Sequence, residues 1–336
     1  MKIAIAILLT IIAGFMNGSY AFPVKHMQKW PNETIWMIFS IIGFVIIPWS
    51  TLFILDHNIF TLFNLLPMKT LSLLFIGGLI FGLGMILFTF SLRYIGIGVS
   101  FLLNIAAGTV FASLLPIFIM VPAEIFKSYG LLEIAAMLLF IVGIVASGYA
   151  LKFRNTSTAT SQNKNLGFIL GILSGLLTSA QGFIYALTIP TIRATLAPQH
   201  FSVLVISNAP WLVIFSAAFI PYFFYFLVTN VKNKNLRLLS KLELSHYYIY
   251  LVVMGIFYFI SLIVFSQASM TLGNLGTVIA WPMFMIFIIL TSNFWSYIQG
   301  EWNHANSKAY LYGLISLLSF IIAVILLGTN AYLNVG

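Results

Sequence analysis

Amide, hydroxyl and phenol side chains interrupt the long apolar stretches of this sequence at Asn17, Tyr20, Asn104, Thr109, Thr178, Gln181, Tyr185, Asn208, Tyr258, Ser261, Gln267 and Asn293. An unpaired amide facing lipid would cost several kcal/mol, so such groups turn inward, where they join helices or line a cavity. Together with Trp281 they offer neutral donors and acceptors among aromatic rings, a set that suits a neutral hydroxylated solute better than an ion. Asn17, Tyr20, Asn104, Gln181, Tyr258, Ser261 and Trp281 form the candidate substrate-binding set.

Ionisable chemistry is sparse. The chain has a single Asp, Asp56, and five Glu at 33, 124, 133, 243 and 301. None falls at the centre of an apolar stretch, where a buried charge is kept mainly for ion or proton work. This weakens a multidrug cation exporter and removes the paired Asp of an intramembrane aspartyl protease. The five His, at 26, 57, 200, 246 and 304, lie at stretch ends or in loops, with no metal-ligand spacing on one helix face. With no Cys, disulfides, Cys-ligated zinc and Cys nucleophiles are excluded. No metal, cofactor or catalytic constellation is expected.

The elements that must position these groups follow from composition. Of 336 residues, 61% are apolar and 6% charged, with a mean hydropathy of +1.08. No single water-soluble core could bury so much apolar surface, which excludes a soluble enzyme and a disordered chain. The net charge of +9 is strewn between apolar runs rather than gathered on a water-facing patch, so no nucleic-acid partner is expected. The expected partners are the lipid bilayer and a small-molecule substrate.

A bilayer core needs about 20 apolar residues in helical form. Ten stretches qualify, at 3–24, 33–55, 71–93, 97–121, 130–151, 166–188, 201–228, 246–268, 275–298 and 309–333. Residues 152–165 are polar and read as a linker between a first half, 1–151, and a second, 166–336. The basic segment 229–245 is expected to form a surface helix. Lys2, an apolar run and Ser19-Tyr20-Ala21 have the order of a signal peptide, but nine further spans make an uncleaved first helix the better reading.

Basic residues orient the bundle. With the N-terminus outside, Lys25, Lys29, Arg93, Lys152, Arg154, Lys164, Lys232, Lys234, Arg237, Lys241 and Lys308 face inward, leaving Lys2, Lys69, Lys127 and Arg193 outside. The halves also match. Gly78, Phe88, Gly96 and Glu124 recur 177 residues later as Gly255, Phe265, Gly273 and Glu301, and Gly14 recurs 161 residues later as Gly175. Two five-helix halves must be inverted relative to each other, as in secondary transporters with a midplane site. The expected fold is all-α, with ten transmembrane helices in two inverted five-helix repeats. Small-xxx-small pairs at Gly14/Gly18, Gly78/Gly82 and Gly171/Gly175 allow close helix approach, and put spans one and six at the central interface. Pro282, after Trp281, is a candidate hinge.

The stretch PVKHMQKWPNETIW, Pro23 to Trp36, is more specific than these features. Through Pro23, Lys25, Lys29, Trp30, Glu33, Thr34 and Trp36 it resembles the L-rhamnose–proton symporter family of the drug/metabolite transporter superfamily. Ile47-Pro48-Trp49, Arg93-Tyr94-Ile95-Gly96, Ile279-Ala280-Trp281 and Glu301-Trp302-Asn303 extend the likeness. The resemblance implies ten helices in two inverted halves and a sugar-like substrate at the bacterial-type inner (cytoplasmic) membrane. One position departs. The family carries an acid four residues before the ninth-helix Trp, and here that residue is Thr277. Coupling would then fall to Glu33 and His26, and transport would be equilibrative, exchanging or only weakly proton-driven. An exporter of amino acids or other metabolites in the same superfamily stays open as the alternative, and so does a non-transport membrane protein.

Overall fold

A computed structural model describes the chain except for Met1, Gly96, Val121, Pro122, Glu124, Ile125, residues 155–162, Leu242, Glu243, Asn274, Leu275, Gln299, Glu301, His304 and Gly336. The repeat partners Gly96, Glu124 and Glu301, and most of the 152–165 linker, therefore lie outside the described residues. Among the described residues every regular element is helical. Where no water competes, a backbone satisfies its polar groups within its own helix.

The chain runs α1 (Lys2–Ser19), α2 (Asn32–Ile41), α3 (Ile47–Leu55), a short α4 (Ile59–Leu65), α5 (Met68–Ile95), α6 (Ile97–Met120) and α7 (Ser128–Arg154). The second part holds α8 (Lys164–Thr178), α9 (Ala180–Leu196), α10 (Val203–Lys232), α11 (His246–Thr271), α12 (Gly276–Ile298) and α13 (Ser307–Val335). Among the described residues, nine helical segments are long and apolar enough to cross a bilayer. The protein is an all-helical, polytopic membrane protein.

Two spans expected as single helices are modified by identifiable residues. The 33–55 stretch widens into a π-helical turn at Ile42–Ile46, just ahead of Pro48. Proline clashes with the carbonyl four residues earlier, and the wider turn takes up that misfit. The 166–188 stretch becomes α8 and α9, meeting at Ser179 and running on to Leu196. Here Ser174 and Ser179 donate back to the carbonyls of Gly171 (2.7 Å) and Leu176 (2.6 Å). Such back-bonding competes with the helix ladder. Pro282 lies inside an unbroken α12.

One expectation is corrected. Among the described residues of 229–245 no surface helix follows α10, which carries on through Lys232; a 3₁₀ turn, Asn235–Leu238, comes after it. The four cations at 232, 234, 237 and 241 repel one another, while Leu238, Leu239 and Leu244 of the same segment turn inward against the bundle.

Packing follows the small residues. α1 lies against α11 and α12, α8 against α5 and α6, α5 against α10, and α7 along α13. At Gly18 a methyl group would come within 2.6 Å of Thr291 Cβ, and at Gly175 within 2.7 Å of Ala107 Cβ. Only a residue without a side chain permits these approaches, which replace hydrophobic drive as the source of helix affinity in lipid. The outer faces present Leu138, Leu314 and Ile325 to the bilayer.

Candidate functional site

The inward faces of α1, α5, α6, α8, α9, α11 and α12 enclose a cavity of about 150 Å³. Its wall contains Asn17, Tyr20, Asn104, Gln181, Tyr258 and Trp281, so six of the seven residues chosen from sequence meet around one space. Ser261 does not line it. That hydroxyl is buried behind the wall, where it accepts from Asn17 Nδ2 (2.9 Å) and donates to the Tyr258 carbonyl (2.5 Å).

The two asparagines are held in the same manner. Asn17 spends its amide N–H on Ser261 of α11, while Asn104 donates to Ser174 (3.0 Å) and Thr178 (3.1 Å) of α8. Each bond fixes the amide's orientation and leaves its carbonyl oxygen as the group available to the cavity. Three further wall groups, Thr109 Oγ1, Gln181 Oε1 and Trp281 Nε1, are buried with no hydrogen-bond partner. Buried polar atoms are normally satisfied, so a cluster of exceptions around a cavity asks for a ligand or water.

Aromatic contacts stiffen the wall. Tyr20 lies 5.2 Å from Tyr258 and 5.7 Å from Phe39, centroid to centroid. Trp281 meets Phe265 edge-on at 5.4 Å. Apolar contact comes from Phe81, Met85, Phe88, Met285 and Ile288, and no charged side chain is among the described lining residues.

Sequence reasoning passed over several of these. Thr109 and Thr178 were legible as polar residues inside spans but not singled out, and Ser179 and Ser292 give no signal among many helix serines. Met85 and Ile288 look like any other apolar residue in their spans.

The coupling candidates sit elsewhere. Glu33, in the first turn of α2, accepts from Asn233 Nδ2 (2.8 Å) and Asn235 Nδ2 (3.2 Å). His26 is exposed, with its ring 6.2 Å from Tyr250. Neither lines the cavity. Thr277, where the resemblance implied an acid, shares a 2.6 Å hydroxyl–hydroxyl hydrogen bond with Ser269. A buried acid does exist, at a place the sequence reading undervalued because it lies near a span end. Glu133 of α7 is wholly buried against α13, with Oε2 accepting from Asn330 Nδ2 (3.2 Å) and Oε1 unpartnered.

Comparison with known proteins agrees with this architecture. Residues 1–332 match the family model of the L-rhamnose-proton symport protein. L-rhamnose-proton symporters of Escherichia coli O1:K1 / APEC and of E. coli strain 55989 / EAEC are each 22% identical, over 334 and 333 residues respectively. The same protein of Shigella dysenteriae serotype 1 is also 22% identical over 333 residues. In all three the alignment covers 95% of this chain and 94% of the relative. These relatives are named as transporters, not enzymes, and with its apolar helices the chain is a multi-pass secondary transporter of the inner membrane. It belongs to the L-rhamnose-proton symport protein family.

Proposed function

We propose that this transporter carries a neutral, hydroxyl-rich sugar of the L-rhamnose class by alternating access around the central cavity. The observation that carries this reading is a wall whose described residues are uncharged and keep unspent hydrogen-bonding capacity. Thr109, Gln181 and Trp281 have unpartnered buried atoms, beside the fixed amide oxygens of Asn17 and Asn104. Fixed acceptors select ligand hydroxyls, and aromatic faces such as Tyr20 and Tyr258 cover a sugar's C–H surface. The exporter alternative is not favoured: an amino acid's two charges would meet no counter-charge among the described wall residues.

The membrane architecture proposed is ten spans, with α6 as the tenth, in two inverted halves at 1–151 and 166–336. Paired packing supports it, since α1 on α11 and α12 is matched by α8 on α5 and α6. Gly14 and Gly175, equivalent in the repeat, occupy corresponding contacts, one against Phe287 of α12 and the other against Asn104 of α6.

The family's name includes a proton, and the described cavity wall offers no carboxylate or imidazole to bind one. The proton site in this reading is Glu133, buried between α7 and α13. Its ionised form would have one amide donor and an unpartnered oxygen, in a setting where charge costs about 2.5–3.5 kcal/mol or more. Its partner helix α13 reaches α1, which carries Asn17, at Gly328 and Ile7. This proposal gives the coupling role to the buried Glu133 rather than to Glu33 and His26.

The test is thermal unfolding of purified protein against sugars, amino acids and nucleosides, since a ligand of the native state raises the unfolding temperature. Stabilisation by L-rhamnose or a related sugar is expected. Stabilisation by amino acids alone would overturn the assignment.

A further inference from the structure

A second cavity, of about 400 Å³, opens between α7, α12 and α13, away from the sugar site. Its mouth carries Tyr297 (65% exposed), Phe294 and Leu314 (53% exposed), side chains that face the bilayer. Its depth holds two polar atoms without partners, Ser316 Oγ and Trp302 Nε1. Ser316 is only 3% exposed, so nothing but an occupant of the groove or trapped water can satisfy it. Trp302 belongs to the Glu301-Trp302-Asn303 motif, which the transport site does not use.

The indole of Trp302 is placed deliberately. It passes close over Gly313, where a methyl group would stand 3.2 Å from the ring, and lies 5.6 Å from Tyr310. Tyr310 also donates its hydroxyl to the Trp302 carbonyl at 3.0 Å. Arg154 sits 5.6 Å over the indole, and Lys308 lies 5.7 Å over Phe153. The segments 147–154 and 290–317, which carry the groove lining, hold three cations, Lys152, Arg154 and Lys308, against one acid, Glu301 in sequence, and Lys152 directly follows the lining residue Leu151.

We propose that this groove holds a phospholipid with an anionic headgroup. The acyl chains lie against Phe294, Leu314 and Leu317, the ester region meets Ser316 and Trp302, and the phosphate sits among Lys152, Arg154 and Lys308. Basic pockets between membrane helices recognise acidic headgroups in this way, and a neutral soluble ligand would gain nothing from the cations.

The experiment is native mass spectrometry of the detergent-purified full chain, titrated with phosphatidylglycerol or phosphatidylcholine. On the order of ten-fold tighter retention of phosphatidylglycerol is expected. The pair Lys152→Gln, Lys308→Gln should bring it down to the phosphatidylcholine level, and Ser147→Phe, which fills the groove, should reduce both lipids. Thermal unfolding without lipid checks that the variants fold, with Leu317→Trp as the substitute filler should Ser147→Phe fail. Equal retention of the two lipids by the unaltered protein overturns the proposal. So does a preference that survives the lysine substitutions, or one that survives a folded groove-filling variant.

Discussion

The indole of Trp281 rests on Gly182: a methyl group there would stand 2.8 Å from Cε2 and 2.9 Å from Cζ2. Both residues belong to the central cavity region, Trp281 on its wall and Gly182 next to the wall residue Gln181. Gly182 thus sets where the indole N–H is presented. Gly182→Ala should push Trp281 into the cavity and weaken sugar binding about ten-fold, and Gly182→Val should weaken it more. Ligand-induced shifts of unfolding temperature will read this, with the ligand-free unfolding temperature as the control.

Asn17 and Asn104 should behave alike although they lie on different helices. Asn17→Ala or Asn104→Ala removes a ligand acceptor and also the amide donor to Ser261, or to Ser174 and Thr178. The cost is on the order of 1–3 kcal/mol, or about five- to a hundred-fold in affinity. Ser261→Ala, which acts only through Asn17, should weaken binding less than Asn17→Ala. Equilibrium sugar binding by the three variants, compared side by side, decides the order.

Glu133→Gln keeps the partner for Asn330 and removes the proton site. Accumulation of sugar in proteoliposomes under an imposed pH gradient should disappear, while exchange of internal for external sugar continues. Glu33→Gln and His26→Asn should both retain gradient-driven accumulation. Retained accumulation in Glu133→Gln would place the proton elsewhere.

Orientation is open to direct labelling because the chain has no cysteine of its own. Asn58→Cys, in the exposed turn between α3 and α4, should react with an impermeant thiol reagent added outside intact cells. Lys232→Cys, at the end of α10, should react only after the membrane is opened. Outside labelling of Lys232→Cys would reverse the topology.

Span positions were legible because lipid imposes a length and a composition on every crossing, and Asn17, Asn104, Gln181 and Tyr258 stood out because amides and phenols are costly there. Less legible were features set by local chemistry. The widened turn at Ile42–Ile46 answers to Pro48, and the junction of α8 and α9 at Ser179 carries hydroxyls that bond back to the helix carbonyls, neither of which alters hydropathy. Ser261 read as a ligand contact because periodicity gives a helix face but not which of two stacked polar groups stands in front. Glu133 was discounted by its distance from a span centre, yet burial depends on what packs over it, here α13. The resemblance carried by Pro23 to Trp36 pointed to the family, while the residues of that motif lie outside the cavity wall.

The uncharged wall of the sugar cavity has an electrical consequence. When the described lining residues turn from one side of the membrane to the other, they move no charge, and the sugar adds none. The current through the transporter therefore counts protons alone. A membrane potential of 100 mV is worth about 2.3 kcal/mol per elementary charge, so one proton per sugar supports roughly fifty-fold accumulation even without a pH gradient. Voltage at constant pH should drive uptake in the unaltered protein, and have no grip on the Glu133→Gln exchanger.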